Sequence, residues 1–141
     1  MVNNMKMIIN LIKKYKEVIM YLIFGILTTV VNIVVYFIST RFLNLDAYIS
    51  NIIAWVLSVL FAFVTNKVYV FNSKNTTVRV ILKEGISFFG FRVLSLIFDM
   101  ICMYIFISLL STNDLVAKII TNVVVIIINY LFSKLFVFKS K

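Results

Sequence analysis

Uncharged apolar runs long enough to cross a membrane alternate with short charged breaks along the chain. A hydrocarbon core of about 30 Å takes roughly 20 helical residues. Two runs meet that length with no charge at all, Val18 to Thr40 and Ala47 to Asn66, and the turn between them holds Arg41 and Asp46. A third span runs from about Gly85 to Leu110, with Arg92 near its start and Asp99 near its centre; a fourth runs from Leu115 to about Phe138, with Lys118 near its start. The pattern predicts an all-α membrane protein with four transmembrane helices. Ahead of the first span, Met5, Ile8, Ile9, Ile12 and Tyr15 recur at helical spacing beside Lys6, Lys13, Lys14 and Lys16. Residues 1–17 therefore read as a short basic amphipathic helix on anionic lipid, with a partly disordered basic tail as the alternative. A cleaved signal peptide fits poorly: the apolar run is too long and no small-residue cleavage site follows it.

Sliding the chain on itself gives a match at a constant offset of 67 residues, aligning Asn66-Lys67-Val68-Tyr69-Val70-Phe71-Asn72-Ser73-Lys74 with Ser133-Lys134-Leu135-Phe136-Val137-Phe138-Lys139-Ser140-Lys141. At the same offset Asn32 falls on Asp99, Asn51 on Lys118 and Ala62 on Asn129. The expected organisation is an N-terminal segment, 1–17, and one four-helix transmembrane domain, 18–141, made of repeats at about 18–74 and 85–141. Each repeat has two spans, so both enter the membrane in the same direction. The result is two parallel helical hairpins, expected around a pseudo-twofold axis along the membrane normal.

Charge orients this arrangement. Of 14 Lys and Arg, twelve fall on one side or at the adjoining helix ends: Lys6, Lys13, Lys14, Lys16, Lys67, Lys74, Arg79, Lys83, Arg92, Lys134, Lys139 and Lys141. Only Arg41 and Lys118 fall on the other, which predicts cytoplasmic N- and C-termini. The net charge of +9 is thus mostly a topology signal, and anionic lipid headgroups are expected as partners in preference to nucleic acid. A hydrophobic content of 63% and a mean hydropathy of +1.10 leave little polar chemistry. Without histidine, and with Cys102 alone in an apolar run, there is no His-based triad and no conventional zinc site. The chain is expected to be neither an enzyme nor a cofactor-binding protein.

The remaining interest falls on polar residues that the bilayer makes expensive. An ionised side chain near its centre costs at least ~2.5–3.5 kcal/mol on insertion scales, so Asp99 should face protein or water. It either lines a polar path for a proton or a substrate hydroxyl, or acts as interhelical glue with Asn129 or Asn32. Arg92 lies two turns away, too far for a direct salt bridge. Lys118 is either an interfacial anchor that snorkels outward or a point-charge partner for a lipid-linked phosphate. Lys67, Lys134 and Arg92 are the corresponding cations on the cytoplasmic side. The aromatic residues following Lys67 and Lys134 read as an interfacial belt, with sugar stacking as the alternative.

These residues resemble the GtrA-like family of small bacterial membrane proteins. The resemblance rests on Phe24-Gly25, Thr28, Asn32, Asn51 and Asn66-Lys67-Val68-Tyr69-Val70-Phe71 in the first half. In the second it rests on Ala117-Lys118, Asn129-Tyr130 and Ser133-Lys134-Leu135-Phe136-Val137-Phe138, and it spans about Tyr21 to Lys141. Tyr69 and Phe136 stand where the family often has tryptophan. What the resemblance implies is a multi-pass protein of the bacterial cell membrane that flips an undecaprenyl-phosphate-linked sugar for glycosylation of teichoic acid or another surface polysaccharide. Its implied partners are that polyprenyl-phosphate-linked sugar and the glycosyltransferases of the same pathway. Asp99, Lys118, Arg92, Asn129, Asn32, Lys134 and Lys67 are then the expected substrate-binding residues. A non-transporting subunit that anchors a glycosyltransferase is the alternative. A small multidrug exporter shares the size, but its first-span carboxylate is replaced here by Asn32. Four helices enclose little volume, so a homo-oligomer is expected.

Overall fold

The computed structural model describes residues 1–139, with only the backbone of Tyr48, Asp114 and Leu115, so the predicted match at Ser140 and Lys141 lies outside the described residues. Among the described residues the regular structure is helical, and four helices have the length and apolar character to cross a membrane. It divides into two compact units, one from Met1 to Lys74 and the other from Asn75 onward.

The first unit opens with α1 (Val2–Lys14), which buries no side chain and so keeps its apolar face free for lipid. Tyr15, at φ −103° and ψ 15°, separates it from α2 (Lys16–Arg41). A peptide of residues 1–16 is expected to partition onto anionic vesicles. Binding should weaken by about 1 kcal/mol for each of Lys6, Lys13, Lys14 and Lys16 replaced by glutamine, and the loss should vanish on neutral vesicles.

A turn closed by the Leu45 N–H donating to the Ser39 carbonyl at 3.0 Å, with Asn44 at φ 52°, leads into α3 (Ala47–Thr65). Asparagine tolerates this left-handed position better than most residues. The helix then widens over Asn66–Val70, where the Phe71 N–H reaches back five residues to the Asn66 carbonyl at 2.8 Å. The second unit consists of α4 (Val78–Tyr104), a wide turn over Ile105–Leu109, α5 (Asp114–Phe132) and a further wide turn over Ser133–Val137. Ser111, at φ 51°, stands at the position 67 residues after Asn44.

The third span begins earlier than its uncharged core suggests. Thr77, in an extended conformation, donates its backbone N–H to Asn75 Oδ1 at 3.0 Å, and α4 starts at Val78, seven residues before Gly85. Arg79, Lys83 and Glu84 therefore belong to the helix.

Within each unit the two long helices meet along small residues. Along α3 and into its wide turn the buried positions Ser50, Ala54, Ser58, Ala62 and Asn66 recur every fourth residue; along α5 and into its wide turn Ala117, Thr121, Asn129 and Ser133 follow the same period, with the half-buried Val125 at the place between. In lipid, where apolar surface gains nothing from leaving one apolar medium for another, close backbone approach of this kind supplies the dispersion contacts that hold a hairpin together. Ala117→Leu is therefore expected to cost about 1–3 kcal/mol through overpacking. Ile119→Leu, on the exposed face two residues on, is expected to stay within about 0.5 kcal/mol. Denaturation midpoints in micelles read the difference.

Candidate functional site

The polar positions of the second unit assemble around one ion pair. The Lys118 ammonium donates to both carboxylate oxygens of Asp99, at 3.2 and 3.1 Å. Asp99 is ten residues from the loop end of its helical span and Lys118 four residues into α5, about 15 and 6 Å of rise respectively. The lysine stem consequently runs inward along the hairpin to meet the carboxylate. Of the partners open to Asp99 as interhelical glue, neither Asn129 nor Asn32 holds it, and the Lys118 stem turns to the carboxylate in place of the headgroups. Side-chain exposure is 18% for Asp99 and 47% for Lys118, so the ammonium stays reachable and keeps donor capacity for a further acceptor.

The other expected residues are dispersed. Arg92, seven residues from Asp99, lays its guanidinium over the Phe88 ring, 4.9 Å from the centroid. Asn129 is buried in the α5 stripe. Lys134 is exposed, 3.4 Å from the Tyr130 hydroxyl and over its ring. Lys67 is buried and donates to Ser73 Oγ at 3.1 Å, so most of its surface is already covered by protein. Asn32, in the first unit, donates through Nδ2 to Ser58 Oγ at 3.4 Å, and Ser58 donates in turn to the Trp55 carbonyl.

Ser58 is absent from the residues expected from the sequence, although its place in the four-residue series of small side chains is a readable signal. Glu84, buried near the start of α4, was also missed, because the uncharged-run criterion leaves that turn outside the span. In α5 the position 67 residues beyond Ser58 is Val125, which has no hydroxyl to offer Asp99.

The aromatic block divides into two roles. Phe71 and Phe138 are fully buried and pack on Tyr21 and Phe88, with centroids 6.4 and 5.9 Å apart. Tyr69 and Phe136 are exposed and lie against Phe24 and Phe91, at 5.3 and 5.7 Å. Each pair in the second unit stands 67 residues after its counterpart in the first. Only the outer half of the block is available as a belt; the inner half ties the end of each hairpin. An apolar groove of about 330 Å³ runs between α4 and α5, lined by residues that include Leu94, Ile97, Phe98, Ile101, Ile128 and Leu131.

Residues 20–138 match the family described as GtrA/DPMS, transmembrane domain. The chain is 50% identical over 125 residues to the cell wall teichoic acid glycosylation protein GtcA of Listeria monocytogenes serovar 1/2a, covering 89% of this chain and 86% of that protein. It is 52% identical to the protein of the same name in Listeria innocua, with the same coverage. It is also 45% identical over 121 residues to the uncharacterized membrane protein YwcD of Bacillus subtilis, covering 86% of this chain and 95% of that one. No solved structure matches.

Proposed function

The chain belongs to the GtrA/DPMS transmembrane-domain family, and from that premise we propose that it flips an undecaprenyl-phosphate-linked sugar across the bacterial cytoplasmic membrane for glycosylation of teichoic acid or another surface polysaccharide. Two relatives named for teichoic acid glycosylation support the pathway. The observation that carries the transport step is the Asp99–Lys118 pair within the membrane-spanning hairpin. A phosphate-bearing headgroup cannot enter hydrocarbon alone without a large desolvation penalty. A reachable lysine whose charge is balanced by a neighbouring carboxylate offers it a partner there at lower cost than an unpaired cation. The ammonium takes the phosphate, Asp99 turns to sugar hydroxyls, and the apolar groove beside the pair accommodates the prenyl tail. Arg92 receives the phosphate nearer the other end of the same helix, Asn129 supplies an amide in the same hairpin, and Asn32 supplies one within the first hairpin. Lys134 and Lys67 stay at the hairpin ends, Lys134 as an exposed cation and Lys67 as a structural one.

In this reading the termini are cytoplasmic, as the placement of basic residues favours, and the chain is a duplicated parallel hairpin. The recurrence of aromatic pairs and of left-handed turn residues at a spacing of 67 supports the duplication. The protein makes and breaks no covalent bond; separate glycosyltransferases form and consume the donor. The competing reading, a non-transporting subunit for those enzymes, draws support from the relatives' names, which specify glycosylation and not movement.

Reconstituted vesicles carrying a short-chain prenyl-phosphate hexose test the proposal. Asp99→Ala and Lys118→Ala are each expected to slow headgroup transfer between leaflets at least about tenfold, the equivalent of ~1.4 kcal/mol on the barrier. Wild-type rates in both variants would remove the pair from the path.

A further inference from the structure

We propose that the first hairpin carries its own site for an uncharged, polyhydroxylated headgroup, formed by Asn32, Tyr36 and Asn51. The proposal rests on the lipid-linked-sugar reading and adds the residues that distinguish the sugar from the bare lipid phosphate. A groove of about 430 Å³ is lined by Asn32, Ile33, Tyr36, Ala47 and Asn51, within the ~300–1,000 Å³ range of small-ligand clefts. Asn32 and Tyr36 are one turn apart on the same face of α2, and Asn51 faces them from the first turns of α3.

The chemistry of the lining follows from comparison within the chain. The positions 67 residues after Asn32 and Asn51 are Asp99 and Lys118, which satisfy one another as an ion pair. In the first hairpin both are neutral amides. Asn32 is held in place by its bond to Ser58, which leaves its carbonyl oxygen and second N–H for another partner. The Asn51 amide and the Tyr36 phenol hydrogen-bond to no side chain among the described residues. Open amide and phenol groups in an apolar span favour an occupant that both donates and accepts hydrogen bonds. A sugar ring does so with several hydroxyls, and its C–H face packs on the tyrosine ring. The lining has no cation, so a phosphate gains nothing here.

The full-length protein in nanodiscs of neutral lipid provides the test, with two probes: a short-chain prenyl-phosphate hexose and the same prenyl phosphate without sugar. The wild type is expected to bind the sugar-bearing probe about tenfold more tightly, the increment of one or two well-placed hydrogen bonds. In Asn51→Leu and Tyr36→Phe that ratio is expected to fall to about threefold or less, the remainder coming from Asp99 in the second hairpin, and Asn51→Gln should recover part of the loss. Both positions are partly exposed side chains outside the buried stripe, and a thermal-melt control shows whether either variant folds differently. A ratio that stays near tenfold in both variants overturns the site, and so does a loss that is equal for the two probes. Failure of the lipid-linked-sugar reading has a different signature, in which the wild type binds neither probe.

Discussion

Lys118→Leu is expected to destabilise the second hairpin by about 2.5–3.5 kcal/mol, because it strands the Asp99 carboxylate among apolar side chains. The double variant Asp99→Leu/Lys118→Leu should recover most of that loss, since leucine fills both positions and no charge remains unpaired. Transport should behave differently. If the pair handles the headgroup, flipping stays at least about tenfold slow in the double variant even though the fold is restored. Denaturation midpoints in micelles give the stability arm and vesicle flipping gives the second. A double variant that is both stable and fully active would make the pair interhelical glue and nothing more.

The second large effect is at the aromatic end of the same hairpin. Phe138→Ala is expected to cost about 3–5 kcal/mol, because the ring is fully buried against Phe88 and its removal leaves a cavity at the point where the wide turn after α5 closes on α4. Phe136→Ala, two residues earlier, removes a ring that is 54% exposed and lies against Phe91. Its expected cost is about 1 kcal/mol, the value of an aromatic pair without a core cavity. Equal losses in the two variants would place both rings in one environment and contradict the division of the block into core and belt.

The four spans were legible because a helix in hydrocarbon must hide its backbone and carry almost no charge over a fixed length, and Val18 to Thr40 and Ala47 to Asn66 do both. The start of α4 was not, since helix and membrane boundaries are different things: Arg79, Lys83 and Glu84 are tolerable in a helix that extends beyond the apolar layer. The Asp99–Lys118 contact was hidden for another reason. Composition shows that each is costly, but only the packed hairpin shows which way a long, flexible lysine stem turns, and here it turns inward. Burial of Phe71 and Phe138 depended on the wide turns before them. An inserted residue shifts the following side chains by about 100° around the axis, which spacing read on a regular helix does not anticipate. The small-residue stripe at Ser50, Ala54, Ser58, Ala62 and Asn66 was readable in the sequence as a four-residue period, and it locates Ser58 beneath Asn32.

In the proposed function this chain itself moves the lipid-linked sugar. Purified wild-type protein, reconstituted with no glycosyltransferase present, should carry a prenyl-phosphate hexose between leaflets, read by the fraction of headgroup open to a membrane-impermeant oxidant over time. Exchange is expected to be at least about tenfold faster than in protein-free vesicles and than with the Asp99→Leu/Lys118→Leu variant. Exchange at the protein-free rate, restored only when a glycosyltransferase is co-reconstituted, would contradict that function and make the chain a subunit of that enzyme.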